Sequence, residues 1–278
     1  MAVSEIRKLM KRLGLRPNKR LGQHYLIDEA VANRQVQYAK IDRSDTVLEI
    51  GPGLGILTRI LSERAKKVIA IEKDPATVAY LRNEVEDVVI VEGDVLKVDL
   101  PEFDKIVSNL PFNISSPITF KLLEEKFQEG VLMYQKEFAQ RLAAAKGSSD
   151  YSRLTVNTYY RAKCEVLETV PRSAFHPEPK VDSSVVRVIP RPPPFRVTDE
   201  DHFIRLVKAL FNHRRKKISN SLMLEWRHLS DSQKTMKRIV SSLDYSDKRV
   251  EQLSPEEIGE LSNWILKENF NLGKGHHS

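Results

Sequence analysis

Leu48-Glu49-Ile50-Gly51-Pro52-Gly53-Leu54-Gly55 decides the fold class: a short apolar run ends in three glycines within five residues, and an amphipathic stretch follows at once. Glycine is otherwise scarce, 11 in 278 residues. The cluster therefore marks a backbone that turns sharply and approaches a ligand with no Cβ in the way. Its spacing is Gly-x-Gly-x-Gly with Ile56 next, unlike the Gly-x-Gly-x-x-Gly dinucleotide fingerprint, and no Lys-Ser/Thr pair completes a P-loop. Glu49, two positions before the first glycine, would repel a pyrophosphate. It suits a cationic ligand or the orientation of the loop itself.

Outward from this stretch, β-branched runs alternate with helical ones. Thr46–Ile50, Val68–Ile71, Val88–Val91, Lys105–Ser108 and Val131–Tyr134 read as strands; Leu54–Lys66, Pro75–Glu86 and Pro117–Phe127 read as helices. That alternation predicts an α/β, Rossmann-like domain, a mostly parallel sheet with helices on both faces and a ligand beyond the carboxyl ends of its strands. Cys164–Val170 and Ser184–Ile189 bring the strands to seven, and two strands in succession predict an antiparallel edge. Pro190-Arg-Pro-Pro-Pro194 is a stiff boundary, beyond which the β signal stops. Asp201–Leu210, Lys216–Leu224, Ser232–Ser241, Asp247–Leu253 and Ser254–Leu266 are helical in period, the last opening on Ser254-Pro-Glu-Glu, an N-cap with proline at the first helical position. The expected domains are a basic N-terminal arm (1–20), a ligand-binding catalytic domain (21–190) and a small all-helical C-terminal domain (191–278).

The 45 Lys and Arg against 38 Asp and Glu leave a formal charge of +7. The excess is local: residues 1–20 carry +6 and residues 205–217 another +6, so the rest of the chain is slightly acidic. Two basic patches on an acidic body point to a polyanion touched in two places, against the plainer reading of two solvated helix faces. No apolar run approaches the roughly 18 residues of a membrane span, and the basic N-terminus lacks a secretory apolar core, so a cytoplasmic protein is expected. A single cysteine, Cys164, excludes an internal disulfide and a cysteine-cluster metal site; the adjacent histidines of the terminal Gly-His-His-Ser are weak evidence for a metal, and none is expected.

Two further acids end strands. Glu72 follows the second strand about twenty residues after the glycines, where an acid can hold both ribose hydroxyls. Asp94 follows the third, where a carboxylate can accept from an adenine amino group. Each alone reads as an N-cap of the next helix. With Glu49 they describe a pocket of carboxylates without a basic residue, suited to a cationic, phosphate-free nucleoside: S-adenosylmethionine. At the end of the fourth strand, Asn109-Leu110-Pro111-Phe112 forms a turn that proline keeps rigid. The Asn109 side-chain oxygen and the Leu110 carbonyl can accept both protons of an –NH2 group, and Phe112 offers a face for a base. The exocyclic nitrogen of adenine is a poor nucleophile because its lone pair is delocalised. Two acceptors favour a pyramidal nitrogen and aim its lone pair, so in-line methyl transfer is driven by orientation and fixed dipoles.

These segments, together with Leu21-Gly-Gln-His-Tyr-Leu26, Ile71-Glu-Lys-Asp74, Phe175-His-Pro-x-Pro-Lys-Val-Asp-Ser183 and Phe211-Asn-His-Arg-Arg-Lys-Lys217, occur in the order of one family. The chain resembles the small-subunit ribosomal RNA adenine N6,N6-dimethyltransferases from about residue 14 to its last helix. The resemblance implies a class I S-adenosylmethionine-dependent methyltransferase that dimethylates two adjacent adenosines in the loop of the 3′-terminal helix of small-subunit rRNA, within the immature subunit and during its biogenesis. A monomer is expected. By position it places His24 and Leu26 at the methionine side of the cofactor, Gly51 and Gly53 at its backbone turn, Glu72 at the ribose, Asp94 and Val95 at the adenine, and Asn109 facing both cofactor and target. His24 stands where many members carry Asn, and Phe112 where many carry Tyr. Phe175 is expected to oppose Phe112 in a stacking sandwich, and Arg214, Arg215, Lys216 and Lys217 to contact phosphates. The rival readings are a DNA or large-subunit rRNA methylating enzyme and a ribosome assembly factor whose main role is binding; a dehydrogenase is opposed by the glycine spacing.

Overall fold

The structure is a computed structural model describing residues 3–12, 14, 23–230 and 232–274. Most of the second half of the basic arm (residues 13 and 15–20), the first two residues of the 21–26 motif and the 275–278 tail with its two histidines lie outside the described residues. The chain divides into two compact units: residues 1–140 with 163–190, and 141–162 with 191–278.

In the first unit, α1 (Val3–Arg12) precedes β1 (Tyr25–Leu26) and α2 (Glu29–Tyr38). The alternating body then runs through β2 (Thr46–Ile50), α3 (Ile56–Arg64), β3 (Lys67–Glu72), α4 (Pro75–Glu84), β4 (Val88–Glu92), β5 (Lys105–Asn109), α5 (Ser115–Leu122), β6 (Glu129–Gln135) and α6 (Lys136–Leu142). After α7 (Arg153–Arg161) come β7 (Ala162–Val170), β8 (Phe175–His176) and β9 (Ser183–Pro190). The seven-stranded sheet has the order β4-β3-β2-β5-β6-β9-β7. β2–β6 pair in parallel, and β9 runs antiparallel to β6 with Gly130 opposite Val188 and Gln135 opposite Ser183. The expected antiparallel edge is present. Near-continuous apolar strands explain the burial: Val47, Leu48, Ile106, Val107 and Val131 are fully enclosed, as a sheet covered on both faces requires.

The chain adds β3 and β4 on one side of β2, then β5 and β6 on the other, so the order reverses between β2 and β5. Their ladder contains only Val47–Lys105 and Leu48–Ile106. Beyond it the buried Ser108 hydroxyl takes over, accepting from Ile50 N at 3.0 Å and donating to Ile50 O at 2.6 Å. A side chain in place of a backbone rung spreads the two strand ends and opens a crevice at the switch point.

α1 carries the described part of the basic arm. Ile6 and Met10 are buried among Tyr25, Leu54, Tyr80 and Leu81, while Lys8, Lys11 and Arg12 are exposed.

The helical unit comprises α7, α8 (Glu200–Asn212), α9 (Ile218–Leu224), α10 (Gln233–Ser241) and α11 (Pro255–Lys274). α11 begins with a reciprocal capping box: Glu257 N donates to Ser254 Oγ and Ser254 N to the Glu257 carboxylate. Two expectations are corrected. Asp247–Leu253 holds only one 3-10 turn, Val250–Gln252. Residues 141–162, placed by sequence within the first domain, pack with the second unit: Tyr151, Val156 and Tyr160 join Phe203, Leu206 and Leu210 in one apolar core, and Tyr151 OH donates to Leu253 O at 2.8 Å. The prolines at 190–194 mark a chain crossing rather than the only one.

Candidate active site

The crevice between the ends of β2 and β5 widens into a cleft of about 960 Å³, counting the space at its mouth. Its floor is the glycine turn. Gly51, Gly53 and Gly55 all adopt left-handed backbone, with φ of 70°, 56° and 77°. At Gly53 a Cβ would stand 2.9 Å from Tyr25 Cδ1, so no side chain fits between the turn and that buried ring. Gly51 N donates to Ile71 O at 2.9 Å, which ties the turn to the neighbouring strand.

Glu72, at the end of β3, is buried, and its Oε1 accepts from the Lys73 and Asp74 backbone N–H groups at 2.8 and 2.9 Å. Burial raises its pKa; those two donors oppose the rise. Asp94 follows β4. Its Oδ1 accepts from Leu96 N at 3.1 Å, and Lys73 Nζ sits 3.0 Å from its Oδ2, holding its carboxyl below the usual range. A lysine inside the cleft corrects the expectation of a pocket without basic residues. The reason is local: Lys73 comes directly after the strand-ending Glu72, and its ammonium reaches Asp94 on the neighbouring strand end.

Asn109 ends β5, and its Oδ1 is buried with no hydrogen-bond partner. A buried acceptor left unmade costs about 1–3 kcal/mol unless something arrives to satisfy it. Leu110, Pro111 and Phe112 continue along the cleft wall. The His24 ring stacks on Phe112 (5.7 Å between centroids, 29° between planes), and its Nδ1 lies 2.7 Å from Pro177 O. A carbonyl only accepts, so Nδ1 is the donor of this bond. The short ribbon formed by β1 and β8, with Tyr25 opposite His176 and Leu26 opposite Phe175, brings these two segments together.

Of the residues expected to act on cofactor or target, His24, Gly51, Gly53, Glu72, Asp94, Val95, Asn109, Leu110, Pro111, Phe112 and Phe175 line this one cleft. Three expectations change. Leu26 does not line it: alternation along β1 turns its side chain into the apolar core with Val31 and Phe175. Glu49 is also turned away, buried beside Thr58, and burial pushes its carboxyl up to about 8. Phe175 meets Phe112 edge-on at 66° and 6.5 Å, so the facing sandwich is not formed, and the ring parallel to Phe112 is that of His24. Sequence reasoning missed Lys73, Leu96, Ile114 and Met133 on the cleft wall. Lys73 and Leu96 stand one or two positions from recognised acids, a signal that proximity alone could have raised.

Arg214, Arg215, Lys216 and Lys217 lie in the helical unit, on the turn after α8. Arg214 is occupied internally: its guanidinium donates to Ser148 O and Ser149 O at 2.6 Å and pairs with Glu251 at 3.2 Å. Lys217 pairs with Asp247 at 2.6 Å. Arg215 and Lys216 are exposed, as are Arg205 and Lys208 of α8, whose opposite face buries Leu206, Val207 and Leu210.

The residues fit the group that the sequence implies. The cleft offers an unmet acceptor at Asn109, a carboxylate fixed by backbone donors at Glu72, a second carboxylate at Asp94, and a turn cleared of side chains.

The family described as ribosomal RNA adenine dimethylase matches residues 14–267. A probable ribosomal RNA small subunit methyltransferase A of Methanosarcina acetivorans is 50% identical over 249 residues, covering 88% of this chain and 92% of that protein. One of Thermococcus kodakarensis is 45% identical over 265 residues, 94% of each. Among solved structures, a dimethyladenosine transferase from Plasmodium falciparum superposes with a TM-score of 0.73 at 32% identity, over 90% of this chain and 98% of that one. The 23S rRNA methyltransferase ErmE gives 0.64 at 27% identity, over 88% and 99%.

Proposed function

The chain belongs to the ribosomal RNA adenine dimethylase family, and from that premise we propose that the cleft methylates N6 of two adjacent adenosines in the 3′-terminal loop of small-subunit rRNA within the immature subunit. The protein is an rRNA adenine dimethyltransferase with the Rossmann-like methyltransferase fold. The observation that carries the finer reading is the buried, unpartnered Asn109 Oδ1 at the head of a proline-rigid turn.

When bound, S-adenosylmethionine supplies an electrophilic methyl group. Glu72 would hold its ribose hydroxyls, Asp94 and Val95 its adenine, and His24 would line the side of its methionine part. Asn109 Oδ1 and the Leu110 carbonyl accept the two N–H protons of the target amine and turn its lone pair toward the methyl. Phe112, backed by the His24 ring, supports the target base. No strong base is needed, because the amine becomes acidic on alkylation and Asn109 stabilises the N–H bonds that lengthen. A loop adenosine is unstacked at low cost, which suits a pocket reached only by an extruded base. Arg205, Lys208, Arg215 and Lys216 supply phosphate contacts, with Lys8, Lys11 and Arg12 as a second handle.

ErmE favours a second reading, a large-subunit rRNA substrate. The 45–50% identity to small-subunit enzymes weighs against it. The test is methyl transfer to small subunits lacking the modification, to naked large-subunit RNA and to DNA, with the product nucleoside identified. Dimethyladenosine from small subunits supports the proposal. Monomethyladenosine, or transfer only to large-subunit RNA, overturns it.

A further inference from the structure

We propose that Lys121 is a positioning residue that sets the cofactor's purine preference by clamping the Asp94–Val98 turn to the helix that carries the catalytic turn. The inference rests on the reading of Asp94 and Val95 as the adenine contacts.

Lys121 lies in the last turn of α5. Its ammonium donates to Val95 O at 2.9 Å and to Val98 O at 2.5 Å. Both of these partners are carbonyls, so the cation serves here as a multiple donor that gathers two peptide groups of one turn. The turn is already tight. Lys97 N and Val98 N converge on Asp94 O at 2.8 and 3.0 Å, Leu96 N reaches Asp94 Oδ1, and Val98 closes over Gly93, where a Cβ would come within 2.7 Å of Val98 Cγ1. The direction of the Asp94 carboxylate is therefore the direction of the whole turn, and Lys121 is its charged anchor on α5.

The other end of α5 meets the catalytic turn. Ser115 Oγ donates to Phe112 O at 3.0 Å, Thr119 Oγ1 to Ser115 O at 2.6 Å, and Ile118 and Leu122 seat the helix in the core. α5 thus works as a short bar with Asn109–Phe112 at its start and the Asp94–Val98 turn held at its finish. Asp94 accepts from a 6-amino group but faces a 6-oxo purine with lone pairs on both sides. Rejection of the oxo purine depends on the carboxylate staying in place, since a turn free to swing relieves the repulsion.

The experiment compares binding of S-adenosylhomocysteine and its 6-oxo analogue, S-inosylhomocysteine, by calorimetry in wild type, Lys121→Met and Lys121→Arg, with methyl transfer measured alongside. Wild type should prefer the amino form by roughly 100-fold. Lys121→Met should bind the amino form about 10-fold more weakly, cut the preference below about 10-fold, and raise KM for the cofactor while kcat at saturation stays within about 3-fold. Lys121→Arg, which keeps donors of similar reach, should restore most of the preference; Lys121→Gln serves if the methionine variant does not fold. An undiminished preference in the soluble variant overturns the inference alone. Equal binding of both ligands by wild type overturns the Asp94 reading and the inference with it.

Discussion

Asn109→Ala should separate stability from catalysis. The wild-type Oδ1 has no partner among the described protein groups and the residue lines the cleft, so truncation breaks no internal hydrogen bond at that atom. It forfeits about 1 kcal/mol of packing for the lost side-chain atoms. The variant is thus expected to lie within about 1 kcal/mol of wild type. Transfer loses a preorganised acceptor, worth roughly 100- to 1000-fold in rate by comparison with oxyanion-hole donors. Binding of S-adenosylhomocysteine should fall about 5-fold or less, the equivalent of about 1 kcal/mol.

The two units need separate probes. Both tryptophans, Trp226 and Trp264, belong to the helical unit, so indole fluorescence reports that unit, and circular dichroism reports the sum. The expected result is an unshifted fluorescence transition, a circular dichroism transition within about 1 kcal/mol of wild type, and single-turnover transfer reduced at least 100-fold. A destabilisation of more than about 1 kcal/mol, or transfer within 10-fold of wild type, would refute the assignment of Oδ1 as an acceptor held ready for the target.

Glu49 gives a pH prediction. Its carboxyl titrates near 8 when folded against an ordinary value of 4.5, so between those limits the folded state binds more protons than the unfolded one and stability falls as pH rises. Glu49→Gln should match wild type near pH 4 and exceed it by a few kcal/mol above pH 8, read from denaturant midpoints; parallel pH profiles would contradict the burial argument. Phe175 is enclosed in the core, so Phe175→Leu rather than alanine tests its role: transfer should drop about 10-fold or more with homocysteine-product affinity within 2-fold, and an equal loss of both would reassign it to the cofactor side. Replacing Arg215 and Lys216 together with alanine should weaken rRNA binding and lower the salt slope by about 1–2, while Arg214→Ala should chiefly lower helical-unit stability; an unchanged slope for the double variant would remove both residues from the phosphate track.

The part of the site legible in the sequence is the part carried by chain order. Glycines at a strand end, acids after the next two strands and Asn-Leu-Pro-Phe after the fourth are positions along an α/β chain, and parallel strands bring such positions to one edge. What stayed hidden depends on side-chain direction or on contacts distant in sequence. Glu49 and Ile50 are neighbours, yet pleating sends only Ile50 to the cleft. Nothing in Phe112 or Phe175 discloses a 66° angle, and nothing in His24 discloses Pro177, 153 residues away. The second unit shows the same limit. Tyr151 and Tyr160 sit upstream of two sheet strands, and only packing against α8 assigns them to the helical core.

Lys73 sharpens the electrostatic argument for the ligand. A carboxylate paired with a lysine looks neutralised and no longer selective for a cation. The pair is asymmetric, however: the lysine side chain is 56% exposed and the aspartate 21%. Such a pair contributes about 0–1 kcal/mol, because water competes for the ammonium and salt screens it. An amino group entering the cleft can displace Lys73 from Oδ2 at that small cost, while the Leu96 N–H keeps Oδ1 oriented. Until then the lysine holds the Asp94 carboxyl further below its ordinary value. Glu72 is held differently: its Oε1 accepts from two backbone donors that are fixed in place and cannot leave. Glu72 is thus the acceptor fixed by the backbone, and Asp94 the directional acceptor whose lysine can yield to a ligand. Lys73→Met should accordingly leave purine preference intact and change cofactor affinity by less than about 5-fold, whereas Glu72→Gln should cost far more.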